Sequence, residues 1–185
     1  MIAQTERDQI SVTGKHQYAI APEFSAKMIL SMVNVYYDAQ TTNISELKST
    51  YMEKLAKAGI PTEQVVEKPF HYAMLGYDKE GTVYEFKTKS IETLQKFLMV
   101  KAIGVQKNDT NLKTTLTDQQ MAEYATAAYE DAKEKASMLA KKIGRKIGKA
   151  TFINDSNRNE IVESLYYGSS ADTRDYQISV TFELL

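Results

Sequence analysis

Hydrophobic and polar positions alternate along the chain with two different periods, and the changes of period mark its elements. Gln9-Ile10-Ser11-Val12-Thr13 alternates polar with apolar residues and then meets Gly14. That pattern predicts a half-buried strand with a bulge or bend before Lys15 to Ala21 and an end at Pro22. From Ala26 to Tyr37 both faces carry apolar side chains, Ile29, Val33, Val35 and Tyr37 on one and Met28, Leu30, Met32 and Tyr36 on the other. A strand patterned this way is expected to be buried on both sides. At the far end, Tyr176, Ile178, Val180, Phe182 and Leu184 alternate with Gln177, Ser179, Thr181 and Glu183, the signature of a strand with one buried face.

The helical period takes over three times. Asn43 with Glu46 has capping-box spacing, and Ile44, Leu47, Tyr51, Leu55 and Ala58 follow at three- and four-residue steps up to Gly59. Pro61 prevents continuation. Val65 to Tyr77 and Gly81 to Thr88 read as strands joined by a turn near Asp78-Lys79-Glu80-Gly81. Ser90 caps a second helix whose Ile91, Leu94, Phe97, Leu98 and Ala102 face one way before Gly104, after which Val105 to Leu116 is extended. Thr117 and Gln120 open the longest helix, which is expected to run to Gly148. Its stripe is Met121, Ala125, Ala128, Ala132, Ala136, Leu139, Ile143 and Ile147, and alanine there lets a helix lie close on a sheet. Ala150 to Asn154 reads as a short strand, and Asp155 to Thr173 as a polar stretch that is in part a long loop.

Together the elements predict an α+β fold, a largely antiparallel sheet with helices packed on it, of about seven strands and three helices. The expected organisation is a flexible segment over residues 1–8 and a single domain over 9–185. Gln9-Ile10-Ser11-Val12-Thr13 recurs as Gln177-Ile178-Ser179-Val180-Thr181, too short a match to establish duplication.

Charge and composition then remove several functions. The 185 residues carry 23 Lys and Arg against 24 Asp and Glu, so the overall positive field that nucleic-acid binding draws on is missing and no nucleic-acid partner is expected. The absence of cysteine excludes disulfides, thiolate metal sites and cysteine nucleophiles, and fits either a reducing cytoplasm or an exported protein. No run of 18 apolar residues occurs, so no transmembrane segment is expected. The N-terminus lacks a basic-then-apolar export signal, and the folded pattern near Gln9 suggests a signal removed before Met1.

Candidate chemistry is sparse. His16 and His71 are the only histidines, and neither has a second ligand at metal-binding spacing. Gly168-Ser169-Ser170-Ala171-Asp172 lacks the strand-to-helix context of a nucleophile elbow, and Gly144 and Gly148 sit near a helix end and do not follow a strand as a phosphate loop would. No cofactor, metal or catalytic residue is therefore expected. What stands out is a basic cluster. Lys133 and Lys135 lead into Lys141, Lys142, Arg145, Lys146 and Lys149, with Glu123, Glu130 and Asp131 on earlier turns of the same helix. That polarity complements the helix dipole and reads as a solvated face. The functional reading is a surface for an anionic partner formed by Lys141, Lys142, Arg145, Lys146 and Lys149. Tyr36-Tyr37 and Tyr166-Tyr167 are aromatic pairs of the kind enriched at interfaces, and Tyr166 and Tyr167 in a polar stretch are the better interface candidates. The rival is a ligand or enzymatic site dispersed over residues such as His71, Tyr72, Glu85 and Lys87.

Several strings, in order and at similar spacing, resemble the SIMPL family. They are Ile10-Ser11-Val12-Thr13-Gly14 followed by Ala21-Pro22-Glu23, then Leu55-Ala56-Lys57-Ala58-Gly59-Ile60, and the alanine-rich run Ala127-Ala128-Tyr129-Glu130-Asp131-Ala132-Lys133-Glu134-Lys135-Ala136 continued by Leu139-Ala140 and Ile147-Gly148-Lys149-Ala150. Glu67-Lys68-Pro69-Phe70 departs from the threonine-bearing strand usual there. The resemblance implies an α+β domain without an assigned catalytic motif, commonly periplasmic or otherwise exported. It implies a non-enzymatic cell-envelope protein acting through self-assembly or macromolecular binding, with a homo-oligomer or protein partner and peripheral envelope association. A cytoplasmic location is the alternative.

Overall fold

The computed structural model describes residues 8–35, 43–165 and 172–185. In chain order the elements are β1 (Gln9–Ala19), β2 (Glu23–Ser31), α1 (Ile44–Lys57), β3 (Val65–Glu67), α2 (Pro69–Ala73), β4 (Gly81–Thr88), α3 (Ile91–Met99), β5 (Val105–Thr115), α4 (Asp118–Lys142), β6 (Ile147–Asp155), β7 (Glu160–Ser164) and β8 (Thr173–Leu184). The α+β class is as the pattern predicts, with strands arranged in two sheets. The described residues form two compact units. One draws on the described residues within Met1–Ile20, Thr115–Ile161 and Ser170–Leu185, the other on those within Ala21–Thr114 and Val162–Ser169.

The first unit is a three-stranded antiparallel sheet, order β1-β8-β6, with α4 on one face. β1 pairs with β8 without interruption from Gln9↔Glu183 to Ala19↔Thr173, so the bulge expected at Gly14 is absent. Gly14 serves packing instead. A Cβ there would lie 1.9 Å from the Ala128 carbonyl oxygen and 2.8 Å from the Ala132 Cβ, so only a bare backbone lets the helix descend this far. Ala128, Ala132 and Ala136 are fully buried against Tyr18, Tyr176, Ile178, Val180 and Phe182.

The helix differs from its predicted stripe at the C-terminal end. It stops at Lys142, and Gly144 turns the chain with φ 72°, so Ile147 opens β6 and Gly148 lies inside that strand. Ala140 is the buried position in the last turn, whereas Leu139 and Ile143 are 46% and 62% exposed. Period alone could not separate Leu139 from Ala140: on a helix both lie within about 60° of Ala136, and the sheet reaches only one of them.

The two copies of Gln-Ile-Ser-Val-Thr are neighbours. They run antiparallel about Val12↔Val180, with Ser11 opposite Thr181 and Thr13 opposite Ser179, and the Ser11 and Thr181 hydroxyls are 2.8 Å apart. The recurrence reflects two strands that present the same apolar residues to one helix.

The second unit is a five-stranded sheet, order β3-β4-β2-β5-β7. β2 is its centre, which explains an apolar pattern on both faces: Phe24, Ala26, Met28, Ile29 and Leu30 are all buried. The strand ends sooner than predicted, because Ser31 caps a 3₁₀ turn at Met32–Asn34 that takes Val33 out of the ladder. Tyr36 and Tyr37 lie outside the described residues. α1 and α3 cover one face, where Tyr51 meets Tyr84 and Phe97 meets Phe86, and Asn43 and Ser90 cap them as expected. Val65 to Tyr77 is not one strand. β3 pairs with β4 for three residues, then Pro69 occupies the first turn of α2, where its fixed φ and missing N–H favour helix initiation. Tyr72 from α2 packs on Ile29 and Val83, and its hydroxyl contacts Ser31 Oγ at 2.5 Å and donates to the Lys79 carbonyl at 2.8 Å. Within the stretch read as a polar loop, β7 adds to the edge of this sheet beside β5.

Tyr51 is fully buried, and its hydroxyl has no hydrogen-bond partner among the described residues. Burial, and then the neighbouring Tyr84, push its ionisation up. Tyr51→Phe removes an unpaired polar atom from the core without changing the ring, so it is expected to raise stability by about 1 kcal/mol. Urea denaturation of the two proteins side by side measures this.

Candidate interaction surface

On the β1 side of the first unit α4 overhangs the last strand of the sheet, and the space beneath it is a groove of about 390 Å³ lined by Val12, Thr13, Lys135, Met138, Leu139 and Lys142. Val12 supplies the strand wall. Met138 and Leu139, 53% and 46% exposed, supply the helix wall. Leu139 is thus a groove residue and not the core residue its spacing suggests. Among the described residues β1 pairs only with β8, so its other edge is open. Two of the groups on that edge are taken by α4: the Lys15 N–H donates to Asp131 Oδ2 at 2.6 Å, and Lys135 Nζ donates to the Thr13 carbonyl at 3.3 Å. Asp131 and Lys135 also bond each other at 2.6 Å across one helical turn. The Lys135 hydrogen bond, helped by the Lys15 N–H, holds the Asp131 carboxyl below its usual range against a smaller opposing effect of burial.

The basic cluster divides into residues that hold the fold and residues that do not. Arg145 donates from Nη1 to Asp8 at 2.5 Å and from Nη2 to the Leu184 carbonyl at 2.9 Å. The Lys146 backbone exchanges hydrogen bonds with Leu185, and Lys149 lies 3.8 Å from Glu183. These contacts pin the start of β1 and the end of β8 to the turn after α4. Lys141 and Lys142, in the last helical turn, are exposed and make no ion pair or side-chain hydrogen bond among the described residues. The five-residue surface expected from sequence therefore reduces to three uncommitted side-chain cations among the described residues, Lys141, Lys142 and Lys146, and Lys142 stands in the groove wall.

The family model described as a protein of unknown function, SIMPL (DUF541), matches residues 10–182. The chain belongs to the SIMPL family. The match takes in β1 at one end and nearly all of β8 at the other, so it includes both strands and the helix that form the groove. No curated protein matches the chain.

Elsewhere in this SIMPL chain the other candidates are not assembled into one site. Tyr72 is buried and its hydroxyl is committed to Ser31 and Lys79. Glu85 pairs with Lys68 at 3.6 Å, while His71 and Lys87 are exposed. His16 lies tilted against Tyr124 at 5.0 Å, and Tyr124 also contacts Tyr18 and Tyr176. Among the described residues no group of His, Asp and Glu has the arrangement of a metal site. Tyr176 donates to Asp155 Oδ2 at 2.6 Å. Burial opposes ionisation of Asp155, but this bond and those from Asn157 outweigh it and lower the carboxyl's pKa. Burial first, and then Asp155, push the Tyr176 phenol up. The pair ties β6 to β8. Tyr166 and Tyr167 lie outside the described residues.

Sequence reading missed the groove. Its signal was present in Met138-Leu139, two adjacent large apolar residues of which a core stripe has room for one, and in Asp131 four places before Lys135. Neither shows which strand edge it borders until the helix is placed.

Proposed function

We propose that this SIMPL chain is a non-enzymatic binding protein of the cell envelope that takes an acidic segment of a partner protein in the groove between α4 and β1. The observation that carries the reading is an apolar groove whose wall contains an uncommitted lysine. Apolar side chains of such a segment can fill the groove between Val12 on one wall and Met138 and Leu139 on the other, while its carboxylates meet the lysine at the rim. Lys141 and Lys142 favour carboxylates on that segment and speed its encounter. Export rests on the family resemblance. Fractionation of the producing cells tests it separately: native protein recovered wholly from the cytoplasm, with no apolar segment encoded upstream, overturns that part.

The binding test uses a fluorescein-labelled peptide of alternating valine and glutamate, with a valine–lysine peptide as its counterpart. The acidic peptide is expected to raise fluorescence anisotropy, with an affinity that falls as salt screens the lysines. Changing Lys141 and Lys142 together to Glu should weaken it about tenfold or more. The same positions changed to Gln should alter stability by less than about 0.5 kcal/mol each, since exposed substitutions away from packing rarely do more. Equal binding of both peptides, or binding indifferent to the Glu reversal, overturns the reading.

A further inference from the structure

The N–H and C=O of one residue in an antiparallel strand point to the same side, and successive residues alternate sides. Because the Thr13 carbonyl and the Lys15 N–H are met by α4, Ser11, Thr13, Lys15 and Gln17 all turn their backbone groups to the open edge. The sequence of β1 has a precedent for pairing with a like sequence on its other edge. Gln9–Thr13 already lies antiparallel to its own repeat, Gln177–Thr181, about Val12↔Val180, and a second copy of the chain carries the same five residues in β1. Two β1 strands meeting about Val12 would set Ser11 opposite Thr13 in both directions, a closed two-fold contact.

We propose that the Asp131–Lys135 pair is an edge guard, which holds the Thr13 carbonyl and the Lys15 N–H and so prevents β1 of a second copy from pairing with β1 across Ser11–Thr13. A strand needs the Thr13 carbonyl to form that contact, and Lys135 occupies it from the same protein. Charged side chains on an edge strand are a recognised way of blocking sheet continuation. Here the charges come from the helix above. The inference rests on the hydrogen bonds of β1 and does not need the acidic-peptide reading.

The test compares the full chain with Asp131→Ala/Lys135→Ala by sedimentation velocity over a concentration series, and with amide exchange of β1. The double variant is expected to self-associate at concentrations about tenfold or more below the wild type, with the Ser11 and Thr13 amides gaining protection as concentration rises. Lys135→Ala alone frees the Thr13 carbonyl while leaving Asp131 on Lys15, and should show the same change more weakly. This keeps the proposal testable where the double variant folds poorly. Lys133→Ala, which removes the neighbouring pair with Glu130, controls for loss of charge and should behave as wild type. Association no stronger than wild type in Lys135→Ala and the double variant overturns the proposal. So does association with β1 amides unprotected, or an equal effect of Lys133→Ala.

Discussion

Gly14→Ala is expected to destabilise the first unit by about 3 kcal/mol, the upper end of the usual cost of overpacking. The reason is the identity of the atom it meets. A Cβ at this position falls 1.9 Å from the Ala128 carbonyl oxygen, with the Ala132 nitrogen at 2.8 Å, and a helix backbone cannot turn aside as a flexible side chain would. The whole of α4 would have to lift, which separates Ala128, Ala132 and Ala136 from Tyr176, Ile178, Val180 and Phe182. Against a typical total stability of about 5–15 kcal/mol, that is a large fraction. The partial rescue is also specified. Ala132→Gly removes the Cβ at 2.8 Å but leaves the Ala128 oxygen where it was, so the double variant should recover only a minor part of the loss. Urea denaturation followed through the tyrosines measures both. A cost below about 1 kcal/mol would mean that α4 is not held against β1 at this distance.

Ala132→Leu is the second large effect, at about 1–3 kcal/mol. Ala132 is fully buried in the same interface, and the added branch has no cavity to enter because the positions beside it are Gly14 and two further buried alanines. Gly14→Ala and Ala132→Leu act on one contact, so their costs should not add. A neutral Ala132→Leu would place the packing face of the helix elsewhere. The exposed Lys141 and Lys142 should meanwhile tolerate Gln, and the contrast between the two sets of substitutions locates the buried face of the helix in solution.

Most of the fold was legible because its elements are written in local code. The caps Asn43, Ser90 and Thr117 start helices in sequence and in structure, since capping is a bond between residues three apart. β8 and β2 declare their burial by period two and by apolar residues on both faces. The misreadings share a cause as well. Val65 to Tyr77 has enough β-forming and aromatic residues to read as a strand, yet only three residues find a partner in β4 and Pro69 turns the rest into a helix. Gly14 signals a bulge by the usual rule for glycine within a strand. The rule fails here because the demand on Gly14 comes from a helix more than 100 residues later in the chain, which no local pattern reports.

The candidate surface divides along the same line. Sequence alone determined the class of fold, the close-packing character of the alanine-rich helix, the absence of cysteine chemistry and the presence of a basic cluster, because each depends on residue identity and on spacing within one element. Only the tertiary structure decided that Arg145 is committed to Asp8 and Leu184 while Lys141 and Lys142 are not, that Leu139 faces a groove, and that Asp131 and Lys135 reach the edge of β1. Those facts depend on which strand lies beside α4 and on where the sheet ends. The physical reason is that a side chain's neighbours along a helix are fixed by its 3.6-residue turn, whereas its neighbours across the interface are fixed by packing among segments distant in sequence.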